Sequence, residues 1–219
     1  MTGVREVVGS GLPHDWVQSL FQDNRGRIVV STAGGTGYFQ NDRFVAIGGV
    51  PGGVVRSIAE DPPRNLWIAN QQLGLFHVLP SSMVQQIPWA RLGRKDFATT
   101  LVADRLQGGL WLGFFLGGIT YFADDQIRAS YAVADGLGEG SVNSFHLEQD
   151  GTLWAATEGG LSRLKDGRVA TLAYCREFSR VRGVSVSCDA DDAVRELSRG
   201  AALALYRVAQ EALGNAAAT

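Results

Sequence analysis

The side chains best placed for chemistry lie on one face of a helix expected at the end of the sequence. The stretch LYRVAQEALGNAAAT, residues 205–219, is rich in alanine, with no proline and one glycine. Arg207, Glu211 and Asn215 are spaced at i, i+4 and i+8, which places them on one helix face. The amide oxygen of Asn215 is a hard neutral ligand that suits Mg²⁺. On spacing alone, Arg207 and Glu211 could instead form an ordinary exposed pair worth roughly 0.2–0.5 kcal/mol.

The segments before this helix predict the elements that would position it. An apolar stripe on its other face would pack against a sheet, and it consists of Leu205, Ala209, Ala212 and Ala216. The stretch LAYCREFSR, residues 172–180, predicts a helix, and the alternating GVSVSC, residues 183–188, predicts a strand. Residues 172–219 therefore predict a small α/β segment.

Most of the chain before it consists of a repeat rich in short strands and glycine turns. Four copies span residues 19–44, 57–78, 100–127 and 144–169. Their central bulky residues, 38 to 44 positions apart, are Val29, Trp67, Trp111 and Trp154. We align a turn aspartate before each of them, at Asp23, Asp61, Asp104 and Asp150. We align a turn glycine after each, at Gly37, Gly74, Gly118 and Gly160.

This repeat length is typical of a four-stranded propeller blade. An aspartate can hydrogen-bond its own downstream backbone and so stabilise the first turn, and a glycine permits positive φ in the second. The stretch AGGTG, residues 33–37, belongs to such a turn because no helix follows it. The predicted fold is mainly β, a partial β-propeller of about four four-stranded blades, followed by the small α/β segment.

The repeat resembles that of two-component regulator propellers. The family pattern has a GLP lead-in, an aspartate–glycine turn and a strand ending in threonine. The first copy matches it at Gly11, Leu12, Pro13, Val17, Leu20, Asp23, Gly26 and Thr32. The last copy matches it at Asp135, Gly136, Leu137, Val142, Asp150, Gly151, Leu153, Trp154 and Thr157. The middle copies depart from it, with Arg64 in place of the usual glycine and Phe114 in place of threonine. The resemblance implies an extracytoplasmic sensor region of a bacterial histidine kinase.

The closing helix resembles the N-box of histidine-kinase ATP-binding domains, in the subfamily that signals to nitrate-regulator-like response regulators. The resemblance covers residues 172–219 and implies that Asn215 is the Mg²⁺ ligand and Glu211 the N-box acid, with ATP and Mg²⁺ as cofactors. It also implies a response regulator and a homodimer partner as partners, and an inner-membrane location for the intact protein. We therefore expect two domains, a sensor-type propeller at 1–171 and the start of an ATP-binding domain at 172–219.

Departures from the family predict that this chain alone has no kinase activity. Ala218 and Thr219 replace the usual lysine and histidine after the N-box asparagine, and no glycine box or phosphoacceptor helix is found. His14 follows Pro13 in a repeat lead-in, which is no place for a phosphoacceptor helix. His77 and His146 fall within blade strands, where packed or surface roles are expected. We expect this chain not to bind ATP or Mg²⁺.

Composition excludes several other classes. The net charge is −2 and no basic patch is evident, which argues against nucleic acid as a partner. Cys175 and Cys188 match no metal-binding spacing. The sequence shows no signal peptide and no membrane-spanning segment, so we expect a soluble, cytoplasmic chain. Two functions remain open: a fragment of a two-component sensor histidine kinase, or a non-catalytic propeller module that binds an unknown ligand or protein.

Overall fold

The computed structural model of the protein describes residues 11–41 and 43–172. These residues form two compact units, one of residues 11–112 with 121–128 and one of residues 113–120 with 129–172. The predicted α/β segment, including Arg207, Glu211, Asn215, Cys175 and Cys188, lies outside the described residues. The predicted boundary at 171/172 falls at their edge and stays a prediction.

The described residues form four sheets of four strands each, in simple chain order. The first sheet contains β1 (Val17–Gln22), β2 (Ile28–Thr32), β3 (Gly35–Gln40) and β4 (Arg43–Ala46). The second contains β5 (Val55–Glu60), β6 (Leu66–Asn70), β7 (Gly74–Val78) and β8 (Val84–Ile87). The third contains β9 (Ala98–Ala103), β10 (Leu110–Phe114), β11 (Ile119–Ala123) and β12 (Gln126–Tyr131). The fourth contains β13 (Val142–Leu147), β14 (Leu153–Thr157), β15 (Gly160–Lys165) and β16 (Arg168–Leu172).

These antiparallel sheets confirm the predicted class, a mainly β fold of four four-stranded blades. Each predicted bulky residue is the second residue of the second strand in its sheet, in β2, β6, β10 and β14. All four of these side chains are buried. Two short 3-10 helices, Trp89–Leu92 and Val133–Asp135, lie in the connections between sheets.

The first strands of three sheets share a β-bulge that the sequence pattern had not revealed. In each case the register shifts between a valine and the serine two residues later: Val17 and Ser19, Val55 and Ser57, Val142 and Ser144. A bulge leaves one residue unpaired and increases the local twist. These three sheets therefore share the same backbone pairing, as well as the sequence repeat.

The turn between the first and second strands corrects our alignment of the fourth copy. The backbone N–H of Asp23 donates to the Arg27 carbonyl at 3.0 Å, and that of Glu148 donates to the Thr152 carbonyl at 2.9 Å. Glu148, not Asp150, thus opens the turn of the fourth sheet. The exposed Asp150 accepts a hydrogen bond from Lys165 Nζ at 2.6 Å, and this bond holds the pKa of Asp150 below its usual range.

The glycine alignment needs a similar correction in the first sheet. Thr32 pairs with Gly35, as Asn70 pairs with Gly74 and Thr157 with Gly160. Gly37 lies two residues into β3. A side chain at Gly37 would bring its Cβ within 2.4 Å of the Val45 carbonyl oxygen, so this glycine allows the close approach of β4 rather than a turn.

The core of the first unit forms where the first and second sheets pack together. Its buried members are Val29, Ile47, Val50, Val55, Ile58, Leu66, Ile68, Phe76 and Val78. Fully burying one such side chain stabilises the fold by about 1.5–3 kcal/mol. This core fixes the two sheets against each other and so sets the distance between the turns at their ends.

Candidate functional site

An open cleft of about 230 Å³ lies between the first and second sheets, at the end where their β1–β2, β3–β4, β5–β6 and β7–β8 turns meet. Its polar wall is formed by Arg25, Arg27, Tyr38, Glu60 and Arg64, and we call it the basic cleft. Its apolar wall contains Val45, Ile47, Leu66, Val78 and Pro80. The cleft is smaller than the 300–1,000 Å³ typical of pockets for drug-sized ligands, so it suits a small molecule.

Asp23 organises the wall contributed by the first sheet. Its buried carboxylate accepts the backbone N–H groups of Arg25 at 3.0 Å and Arg27 at 2.8 Å. The second carboxylate oxygen accepts Nε of Arg27 at 2.6 Å. The Arg27 guanidinium also lies 3.8 Å from the centre of the Tyr38 ring. Because its ion pair and its ring contact both fix it, Arg27 loses little further freedom when a ligand binds.

Tyr38 is a hydrogen-bond donor at neutral pH. Burial raises the pKa of its hydroxyl above the usual value of 10.0, and the nearby Arg27 guanidinium offsets part of that shift. The Tyr38 hydroxyl is therefore protonated at neutral pH.

Arg64 contributes to the opposite wall from a strained backbone position. It occupies the turn between β5 and β6 with φ of +70°, and its N–H donates to the Asp61 carbonyl at 2.9 Å. The matching positions of the other sheets hold Gly26 at +76°, Gly108 at +68° and Gly151 at +83°. A left-handed conformation costs a residue with a Cβ about 1–2 kcal/mol. Arg64 is thus the single non-glycine residue at this position of the four described turns.

Glu60 joins the two walls. One of its carboxylate oxygens accepts the backbone N–H of Asn24 at 2.8 Å, across the boundary between the two sheets. Of the charged side chains that line the cleft, three are arginines and one is this glutamate. An arginine-rich wall favours oxyanions because a guanidinium offers several donors in a plane.

The three histidines lie where the sequence predicted. His14 precedes β1, outside any helix, and its Nδ1 accepts the N–H of Trp16 at 2.9 Å. His77 stacks on Trp67 with ring centres 3.8 Å apart, and burial lowers its pKa. His146 is exposed on β13. Of the predicted turn at residues 33–37, residues 33–34 connect β2 to β3, and residues 35–37 belong to β3 itself.

The predicted nucleotide-site residues Glu211 and Asn215 lie outside the described residues, and their roles stay predictions. Within residues 11–41 and 43–172, no group of three or more His, Cys, Asp and Glu side chains could hold a metal ion. No helix in the same part of the chain is long and apolar enough to cross a membrane.

Sequence reasoning missed the basic cleft. Arg25 and Arg64 belong to different copies of the repeat, and the low net charge conceals a local excess of arginine. The one available signal was Arg64 itself, at a turn position where the repeat expects glycine. A charged residue that replaces a turn glycine is a departure that function can explain.

No protein-family model matches the sequence, and no curated protein sequence is significantly similar to it. Among solved structures, the fold is similar to one described as the extracellular domain of a hybrid two-component system, BT3049 of B. thetaiotaomicron. That chain is 20% identical with a TM-score of 0.50, and the match covers 74% of this chain and 29% of that one.

A second similar structure is described as the extracellular domain of a one-component system, BT4673 of the same organism. It is 20% identical with a TM-score of 0.55, over 70% of this chain and 22% of that one. A structure described as a gluconolactonase has a TM-score of 0.53 at 12% identity, over 72% of this chain and 65% of that one.

At these identities the likeness shows the fold alone, and propeller folds support unrelated functions. The chain spans less than a third of the length of the two sensor-system domains. Both of those are described as extracellular, so the expectation of a cytoplasmic location gains no support from them.

Proposed function

We propose that this chain is a ligand-sensing segment of a bacterial two-component sensor, with the basic cleft as its ligand site. The repeat pattern, the N-box resemblance of residues 205–216 and the fold of the similar extracellular domains support this proposal. The observation that carries it is the cleft itself, where charged side chains from two sheets converge on an open cavity. Convergent polar groups in a concave site are typical of ligand binding.

In this proposal the described residues bind and do not catalyse. Residues of both the first and the second sheet line the cleft, so a ligand in the cleft would contact both sheets. It can alter signalling only if its affinity differs between two arrangements of the sensor. In the intact sensor, an extracytoplasmic propeller would precede an ATP-binding domain that begins near residue 172. Glu211 and Asn215 would serve ATP and Mg²⁺ there, with a homodimer partner and a response regulator downstream.

Binding is tested with the full chain and a library of small charged and neutral compounds, detected by ligand-observed NMR. We expect at least one compound to bind, and Gln40→Trp to remove its binding, since exposed Gln40 lines the cleft and a large ring there fills it. Leu106→Trp, at an exposed residue outside the cleft, is the matched control. Binding that Gln40→Trp leaves unchanged would contradict the site.

Catalysis is tested by incubating the chain with γ-labelled ATP. We expect no label, because phosphoryl transfer requires nucleotide, metal and acceptor to be positioned together. Acid-labile phosphate on a histidine, abolished by Asn215→Ala, would contradict the non-catalytic role of this chain.

A further inference from the structure

We infer that the basic cleft selects a small organic anion, one with a carboxylate, sulfate or phosphate group on an apolar body, and that Arg64 is the residue that captures the charged group. This inference rests on the proposed function and specifies the ligand class for the same cleft.

The charges of the cleft define the sign of the ligand. Arg25, Arg27 and Arg64 face a cavity in which Glu60 is the one acidic lining residue, and Glu60 already accepts the Asn24 N–H. Asp23 offsets the charge of Arg27. Arg25 and Arg64 together outnumber Glu60, so a cation would meet net repulsion here. An oxyanion would gain charge-assisted hydrogen bonds, which are stronger than neutral ones.

The arginines have different roles. Arg27 is already paired with Asp23 and lies against Tyr38, so it forms a fixed part of the wall. Arg25 and Arg64 are exposed, and their side chains can turn to a ligand. The Tyr38 hydroxyl, which is protonated at neutral pH, adds a neutral donor. The apolar residues beside them, Val45 and Val78 among them, favour an organic anion over an inorganic one.

The backbone of Arg64 supports the assignment independently. In the three matching turns a glycine adopts the same left-handed conformation, at Gly26, Gly108 and Gly151. Glycine at position 64 would relieve this strain, because it has no Cβ. Backbone strain of this kind is enriched at functional positions such as ligand-binding sites. The Arg64 side chain lines the cleft, so ligand binding accounts for an arginine at this position.

The test measures binding to the full chain by calorimetry and NMR with succinate, its uncharged analogue succinamide, and inorganic sulfate. Succinate and succinamide differ in charge and little in shape. We expect succinate to bind at low salt, succinamide to bind at least about tenfold more weakly, and added salt to weaken succinate binding. Sulfate is expected to bind more weakly than succinate, because it lacks an apolar body.

Variants of Arg64 separate binding from folding. Arg64→Gly is expected to lower succinate affinity at least about tenfold and to raise Tm by about 3 °C, because it removes both the charge and the strain. Arg64→Lys keeps a charge and is expected to retain part of the affinity. Arg105→Ala, at an exposed arginine in the turn between β9 and β10, is the control and should bind like the parent chain.

The outcomes distinguish this inference from the proposed function. Equal binding of succinate and succinamide, or full affinity in Arg64→Gly, would overturn the anion assignment. A lower Tm in Arg64→Gly would overturn the strain argument. If neutral compounds bind instead and Gln40→Trp removes them, the inference fails while the proposed ligand site stands. If the cleft binds nothing from the library, both fail.

Discussion

The second and fourth sheets have a tryptophan at the same position, but of these two indole N–H groups only the one in the second sheet has a hydrogen-bond partner. Trp67 pairs with His77 across the sheet, and Trp154 pairs with Arg163 in the same register. Both indoles are buried, with 7% and 6% exposure. The surroundings of their Nε1 atoms are what separates the two sheets.

In the second sheet a buried carboxylate closes a hydrogen-bond network. Asp61 accepts the backbone N–H of Asn65 at 2.8 Å, its Nδ2 at 2.9 Å, and Nε1 of Trp67 at 2.9 Å. His77 stacks parallel to Trp67 on the other side, with an interplanar angle of 5°. The side chains of Asp61 and His77 therefore link the β5–β6 turn, Trp67 and strand β7.

In the fourth sheet this network is missing. Glu148 opens the turn in place of an aspartate, and Nε1 of Trp154 is buried without a hydrogen-bond partner. The Arg163 guanidinium lies 5.8 Å from the Trp154 ring centre. The fourth sheet therefore forms without a hydrogen bond to its tryptophan, and the polar network of the second sheet is an added source of stability.

The largest expected effect comes from removing the acceptor in the second sheet. Asp61→Ala leaves three donors near a buried site without their partner, so we expect the free energy of unfolding to fall by about 2–4 kcal/mol. Glu148→Ala, the matching change in the fourth sheet, should alter it by no more than about 0.5 kcal/mol. Urea unfolding followed by tryptophan fluorescence measures both, and equal losses would contradict the comparison.

A smaller effect is expected when each indole is replaced by a phenyl ring. Trp67→Phe loses the hydrogen bond to Asp61 as well as ring area, and we expect a loss of about 1–2 kcal/mol. Trp154→Phe removes a buried N–H that has no partner, so part of its packing loss is offset. The same unfolding measurement should therefore find Trp67→Phe more destabilised than Trp154→Phe, and the reverse order would sink the argument.

The smallest expected effect is a pH dependence of stability just below pH 6.5 that originates at His77 in the second sheet. Burial lowers the pKa of His77 below its usual 6.5 in the folded protein. As the pH falls below about 6.5, the unfolded chain takes up this proton first, so the stability that the neutral imidazole contributes is lost in that range. His77→Phe keeps a ring against Trp67 and should flatten that part of the stability–pH curve. An unchanged slope in His77→Phe would assign the dependence to other groups.

The corrections to the predicted alignment have a shared cause. Asp150 and Gly37 were placed by residue type, because aspartate and glycine are typical of turns. The structure assigns the turns by backbone pairing, which selects Glu148 and Gly35. A residue can match a pattern and still lie two positions from the pairing site, since sequence types do not specify which N–H meets which carbonyl.

The sequence by itself determined the repeat, the position of the bulky residue in each second strand and the mainly β class. These follow from local physics: strand alternation, turn preference and the spacing of apolar residues act within about 40 residues. Only the tertiary structure decided that Arg25 and Arg64 share one cleft and that Glu60 reaches the Asn24 backbone. It also decided that Arg64 takes a glycine's conformation. These features depend on how the core between two sheets sets their separation, and side-chain packing at that distance is not encoded in the spacing of either repeat alone.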